Sequence, residues 1–117
     1  MGHVFVDAYL EGTKEQEKVT MLVDTGATLS AIPGDLADRL GVPRLGPRNV
    51  QLADGRELAV EAGVVHVKIN GREAPTTVFI LGEEPLLGVE TLETLGLKVN
   101  PHTRQLEPAR TFVLRLK

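Results

Sequence analysis

The chain reads as an all-β domain with one or two short helices and an internal pseudo-two-fold. Three features of its 117 residues lead there. Apolar and polar residues alternate in short runs, separated by turn dipeptides such as Asp54-Gly55 and Asn70-Gly71. Helical spacing occurs in brief stretches, each stopped by a glycine, Gly41 and Gly96. One succession of strand, hairpin turn, strand, short motif, short helix and Leu-Gly stop is met twice.

Residues 4–10 read as a strand, 11–18 as a polar hairpin connection with solvated Lys14, Glu15, Glu17 and Lys18, and 19–23 as the returning strand. Residues 24–30 form a loop or short extended segment. Residues 33–41 form a short helix: Pro33 suits its start, Leu36 and Leu40 share a face, and Gly41 suits its stop. Residues 43–47 are a connector. A hairpin over 50–60 turns at Asp54-Gly55. Residues 64–69 are a strand that turns at Asn70-Gly71 to its partner, 76–81. A second short helix covers 89–95 and stops at Gly96. Residues 97–99 and 104–106 flank a turn at 100–103, and 111–116 read as one more strand at an edge. The repeated unit carries Val23-Asp24-Thr25-Gly26 and Leu40-Gly41-Val42 in its first copy, Leu86-Leu87-Gly88 and Leu95-Gly96-Leu97 in its second. The Asp54-Gly55 hairpin lies between them.

Composition bounds the function. The length fits one domain over residues 1–117. Hydrophobic residues make up 42% but aromatics only 3%, so the core must be aliphatic. The net charge of −3, with no block of Lys and Arg, disfavours a nucleic-acid surface. Without cysteine there is no disulfide or thiolate metal site, and His3, His66 and His102 lack metal-ligand spacing. No apolar run approaches the roughly 18 residues of a membrane span. A soluble cytoplasmic chain without metal or cofactor is expected.

The chemistry points to Asp24. An apolar, β-prone run, Val19-Thr20-Met21-Leu22-Val23, delivers this carboxylate to a turn of small residues, Thr25-Gly26-Ala27. A carboxylate held there is rigid, poorly solvated and close to backbone N–H groups, a setting for acid/base work. Alone, Asp24 is better read as a helix cap or a turn-former. Its context, a strand before, a helix after and a partial echo later, turns the balance toward catalysis.

In Leu22-Val23-Asp24-Thr25-Gly26-Ala27 and Leu86-Leu87-Gly88, about 60 residues apart with a hairpin between them, the chain resembles the retropepsin-like aspartic proteases over roughly residues 19–106. This is the single-lobe family that includes retroviral proteases and the protease-like domain of ubiquitin-linked shuttle proteins. The resemblance implies a small acid-protease barrel that assembles as a C2 homodimer with the active site on the axis. It implies a polypeptide substrate and catalytic roles for Asp24, Thr25 and Gly26, with Thr25 bonding across the dimer beneath the carboxylates. Ala27 and Thr28 would line the floor, and Leu52, Ala53, Asp54, Gly55 and Arg56 would form a flap over an extended peptide.

Two departures stand out. Retroviral members commonly pair an Asp after Asp-Thr-Gly-Ala with an Arg after the apolar-apolar-Gly; here those places hold Thr28 and Val89. Ala53-Asp54-Gly55 replaces their glycine-rich flap tip, so the flap is expected to be shorter or stiffer. Both features place the chain closer to cellular and bacterial members. Leu29, Ile32, Val50, Leu52, Leu86 and Leu87 are candidates for substrate pockets or for plain core. The alternative to an endopeptidase is a dimerisation or peptide-binding module with little turnover. A hydrophobic-ligand barrel is a third reading.

Overall fold

The computed structural model describes residues 3–109. Along the chain run β1 (Phe5–Glu11), β2 (Gln16–Val23), β3 (Ser30–Ile32), α1 (Gly34–Leu40), β4 (Arg44–Gln51), β5 (Glu57–Ile69), β6 (Arg72–Ile80), β7 (Leu86–Leu87), α2 (Val89–Leu95), β8 (Leu97–Asn100) and β9 (Gln105–Pro108). The strand expected over residues 111–116 lies outside the described residues. No helix among the described residues is long and apolar enough to cross a membrane.

β1 and β2 pair antiparallel from Phe5 opposite Leu22 to Glu11 opposite Gln16. Ala8 and Leu10 point into the core, while Phe5, Asp7 and Tyr9 face out, as a period of two requires. The strands run further than the sequence predicts, leaving a loop over residues 12–15. That loop is not merely solvated. Its backbone N–H groups at Thr13 and Lys14 donate to the carbonyls of Gly41 (3.1 Å) and Leu40 (2.9 Å). The hairpin thus supplies donors to the carbonyls that a helix C-terminus leaves unpaired. Gly12 permits the contact: a Cβ there would lie 2.2 Å from the Leu40 carbonyl oxygen.

An ion pair reinforces this joint. Arg39 of α1 donates to Glu17 of β2 through Nε (3.0 Å) and Nη2 (3.3 Å). The hydrogen bond from Arg39 holds the Glu17 carboxyl below the usual carboxylate range. A depressed carboxyl pKa favours the fold above the unfolded pKa, and the contribution disappears as pH falls through the folded pKa. Glu17→Gln is therefore expected to lower the melting temperature slightly at pH 7. The difference should shrink at acid pH, as protonation through the lowered folded pKa makes the Glu17 carboxyl neutral like the amide. Thermal scans at neutral and acid pH check this; an undiminished difference at acid pH would remove the ion pair as its cause.

Each short helix ends as its sequence predicts. Gly41 (φ 71°) and Gly96 (φ 68°) take the left-handed conformation that closes α1 and α2. Asn70 and Gly71, both at positive φ, make the two-residue turn between β5 and β6. Residues 43–47, in contrast, are not a plain connector. From Arg44 the chain is strand β4, with a register shift between Arg44 and Gly46. β4 is the last strand in the sheet order, so Pro47 can pair at an edge where its missing N–H breaks no ladder. β5 is likewise one continuous strand instead of ending at Val60. It pairs with β4, β6 and β1.

These pairings carry the expected pseudo-two-fold. The sheet order is β1-β2-β7-β3-β6-β5-β4, and a β1–β5 pairing closes it into a barrel. Exchanging β1 with β5, β2 with β6 and β3 with β7 maps the ring onto itself. Each half sends its third strand parallel to the second strand of the other: β7 beside β2, and β3 beside β6. The two meet antiparallel at Ala31 opposite Leu86. The spatial counterpart of Leu86-Leu87-Gly88 is therefore Ala31-Ile32-Pro33, the segment entering α1, and not the Asp24 tripeptide that the linear echo sets beside it. The core within the ring is aliphatic, built on Leu10, Met21, Ile32, Leu40, Val67 and Leu87.

Candidate active site

Asp24 lies where β2 leaves the sheet. Its N–H donates to the Leu87 carbonyl (2.9 Å), continuing the parallel β2–β7 ladder by one residue. Its carbonyl accepts from the Ala27 N–H (3.1 Å), which turns the chain sharply. Its Oδ1 accepts from the Gly26 N–H (3.0 Å). The carboxylate is thus oriented by its own loop. A Cβ at Gly26 would lie 3.3 Å from Oδ1, a tight contact to which the carboxylate would have to yield by a few tenths of an ångström.

The loop is then clamped onto α2. The N–H groups of Val89 and Glu90 donate to the carbonyls of Ala27 and Thr28, each at 2.9 Å. α2 has no side-chain cap. The Asp24 loop takes that place, accepting from N–H groups that a helix start otherwise leaves unpaired. Thr28 and Val89 share no bond of their own: the joint runs from the Val89 N–H to Ala27 and from the Glu90 N–H to Thr28. Gly88 makes the approach possible: a Cβ there would sit 2.5 Å from the Leu29 carbonyl carbon and 2.6 Å from its oxygen.

A buried hydroxyl chain lies behind the clamp, and no feature read from the sequence anticipates it. Ser30 Oγ accepts from the Gly88 N–H (2.9 Å) and meets Thr91 Oγ1 (2.7 Å), which meets Thr76 Oγ1 (2.8 Å). The three side chains are almost completely buried. Together they tie β3, α2 and β6 beneath the loop, with every polar group satisfied. One signal was available: Thr91 adjoins Leu92 on the buried face of a short helix, a place that calls for a hidden partner.

Above the loop lies an apolar groove of about 440 Å³. Gly26, Ala27 and Thr28 form one part of it, and Leu52 of the β4–β5 hairpin another. Leu29, Val50 and Leu86 also line it, whereas Ile32 and Leu87 are fully buried core. Ala31, Phe79 and Leu81 complete its apolar wall, with Asn49 and Gln51 adding amide groups at the hairpin. Ala53, Asp54, Gly55 and Arg56 form the exposed hairpin tip and are not among the residues lining the groove. The Gly55 N–H closes a turn onto the Leu52 carbonyl (2.9 Å), with Gly55 at φ 90°. Asp54 accepts from the Arg56 backbone (2.9 Å) and from its Nε (2.7 Å). The tip therefore braces itself. Thr25 is exposed on the loop.

Comparison with known proteins agrees with the fold. A family described as "gag-polyprotein putative aspartyl protease" matches residues 10–94. Among solved structures, the EIAV protease complexed with the inhibitor HBY-793 superposes with a TM-score of 0.67. It is 21% identical in sequence, and the match covers 85% of this chain and 93% of that one. A search among curated proteins finds no match.

Proposed function

Because this chain belongs to the gag-polyprotein aspartyl protease family, with its retropepsin-like fold, we propose that it is an aspartic endopeptidase whose active site forms between two copies. The observation that carries this reading is the fixed Asp24 loop beside an apolar groove. Amide hydrolysis needs a base to activate water and an acid to polarise the carbonyl. One Asp-Thr-Gly loop supplies one carboxylate, and the related segments of the second half, Leu81-Gly82-Glu83-Glu84-Pro85 and Leu86-Leu87-Gly88, contain no second Asp-Thr-Gly. A C2 dimer supplies the other from Asp24 of its partner.

Two carboxylates in contact cannot both ionise easily, so the pair holds one proton. The ionised Asp24 takes a proton from water as the water oxygen attacks the carbonyl carbon. The protonated Asp24 gives its proton to the carbonyl oxygen. The resulting tetrahedral diol collapses as a proton passes to the amide nitrogen and the C–N bond breaks. The apolar walls favour extended peptides with apolar side chains, held through strand-like main-chain bonds. Leu52 contributes to the wall, and the Ala53-to-Arg56 tip acts as a short flap.

The self-braced tip favours a second reading, a peptide-binding module with little turnover. Incubation of a diverse peptide library with the protein from about pH 3 to pH 8, read by mass spectrometry, separates the two. The endopeptidase reading expects cuts between apolar residues, with a bell-shaped profile on the acid side. Binding without cuts at any pH would establish the module instead.

A further inference from the structure

Two cavities flank the Asp24 loop, and among the described residues Thr25 alone belongs to both. One, of about 270 Å³, reaches from Thr28 to the exposed face of α2, where Glu90 and Glu93 stand. The other, of about 390 Å³, is bounded by His3 and by Pro101 and Arg104 of the β8–β9 hairpin. Their charges are opposite. The first has two carboxylates and no basic lining residue; the second has a guanidinium and an imidazole and no acidic one. Glu90, Glu93 and Arg104 are exposed, and none of them takes part in an ion pair among the described residues. Arg104 also occupies the left-handed region at φ 58°, uncommon for a residue other than glycine.

A two-fold axis close to Thr25 changes the meaning of this arrangement. Rotation about it carries each cavity of one protomer to the opposite side of the axis. The basic rim of one copy then faces the acidic rim of the other, and the contact occurs twice. We propose that Arg104 of one protomer pairs with Glu90 and Glu93 of its partner, and that the occupant of both cavities is a second copy of this chain. The inference rests on the homodimer reading above and names the groups that set its register. It assigns to the β8–β9 hairpin and α2 the bracing that Thr28 and Val89 cannot supply. Charge complementarity of this kind governs register and encounter, and juxtaposed like charges are strongly unfavourable.

The test uses two full-length variants, Arg104→Glu and the double variant Glu90→Lys/Glu93→Lys, with dissociation constants from sedimentation equilibrium. Each variant alone places like charges across the axis and should dimerise at least roughly tenfold more weakly than the parent. Mixed one to one, they restore opposite charges at both contacts. The heterodimer should return to within about threefold of the parent constant, with peptide cleavage recovered. Circular dichroism confirms that each variant is folded, and the milder Arg104→Gln should weaken dimerisation in the same direction. Variants that dimerise like the parent, or a mixture no tighter than its folded components, would overturn the pairing while leaving the homodimer intact. A parent chain that is monomeric at every concentration would instead overturn the homodimer reading on which the pairing depends.

Discussion

Asp24→Asn should reduce peptide hydrolysis by about 10⁴-fold or more while leaving the fold intact. Both the base that activates water and the acid that polarises the carbonyl disappear together, because one substitution removes both carboxylates of the dimer. The amide keeps an oxygen that can accept from the Gly26 N–H, as Asp24 Oδ1 does at 3.0 Å. The turn therefore persists, and the melting temperature should change little. Mixing sharpens the test. In an exchanging equal mixture of parent and variant, about a quarter of the dimers carry two carboxylates. Activity should fall with the square of the parent fraction. A linear fall would mean that each Asp24 acts independently of its partner's, and full activity of the variant would end the protease reading.

What could be read along the chain was what is decided within a few residues. The stops at Gly41 and Gly96 follow from a left-handed conformation that glycine adopts without penalty. Asn70-Gly71 is a turn for the same local reason. The Asp24 loop was legible because strand, small residues and Pro33-led helix adjoin it in sequence. Contacts between distant segments were not. Ser30 and Thr91 are 61 positions apart, and neither residue type demands the other. Nothing local tells Thr13 and Lys14 to cap α1, or tells residues 43–47 to pair as an edge strand. The split among candidate pocket residues has the same origin. Leu86 and Leu87 are adjacent, yet one lines the groove and the other is core, because successive strand residues face opposite sides. Which side is the core depends on the β2–β7–β3 neighbours, and those are set by topology.

Gly88→Ala is the second large effect, and it couples stability to activity through one close contact. Gly88 has an ordinary extended backbone, φ −91° and ψ 171°, so alanine meets no dihedral penalty there. The penalty is steric and falls on backbone, which cannot rotate away: the new Cβ would lie 2.5 Å from the Leu29 carbonyl carbon and 3.0 Å from the Ser30 nitrogen. Separation of α2 from the loop would also strain the Gly88 bond to Ser30 Oγ and the Val89 and Glu90 bonds to Ala27 and Thr28. A loss of roughly 3 kcal/mol is expected, about 10 °C in melting temperature for a chain of this size. Because Leu29 follows directly on Thr28, relief of the clash moves the loop that carries Asp24. Displacements near 1 Å can cost about 100-fold in rate, so kcat should fall well below the parent value even at temperatures where the variant remains folded. Gly12→Ala supplies the control. Its Cβ would clash just as severely, 2.2 Å from the Leu40 oxygen, but at the joint between the β1–β2 hairpin and α1. It should lose comparable stability and, while folded, keep the parent kcat. Equal losses of kcat in the two variants would show that general destabilisation, and not the Leu29–Gly88 contact, controls the loop.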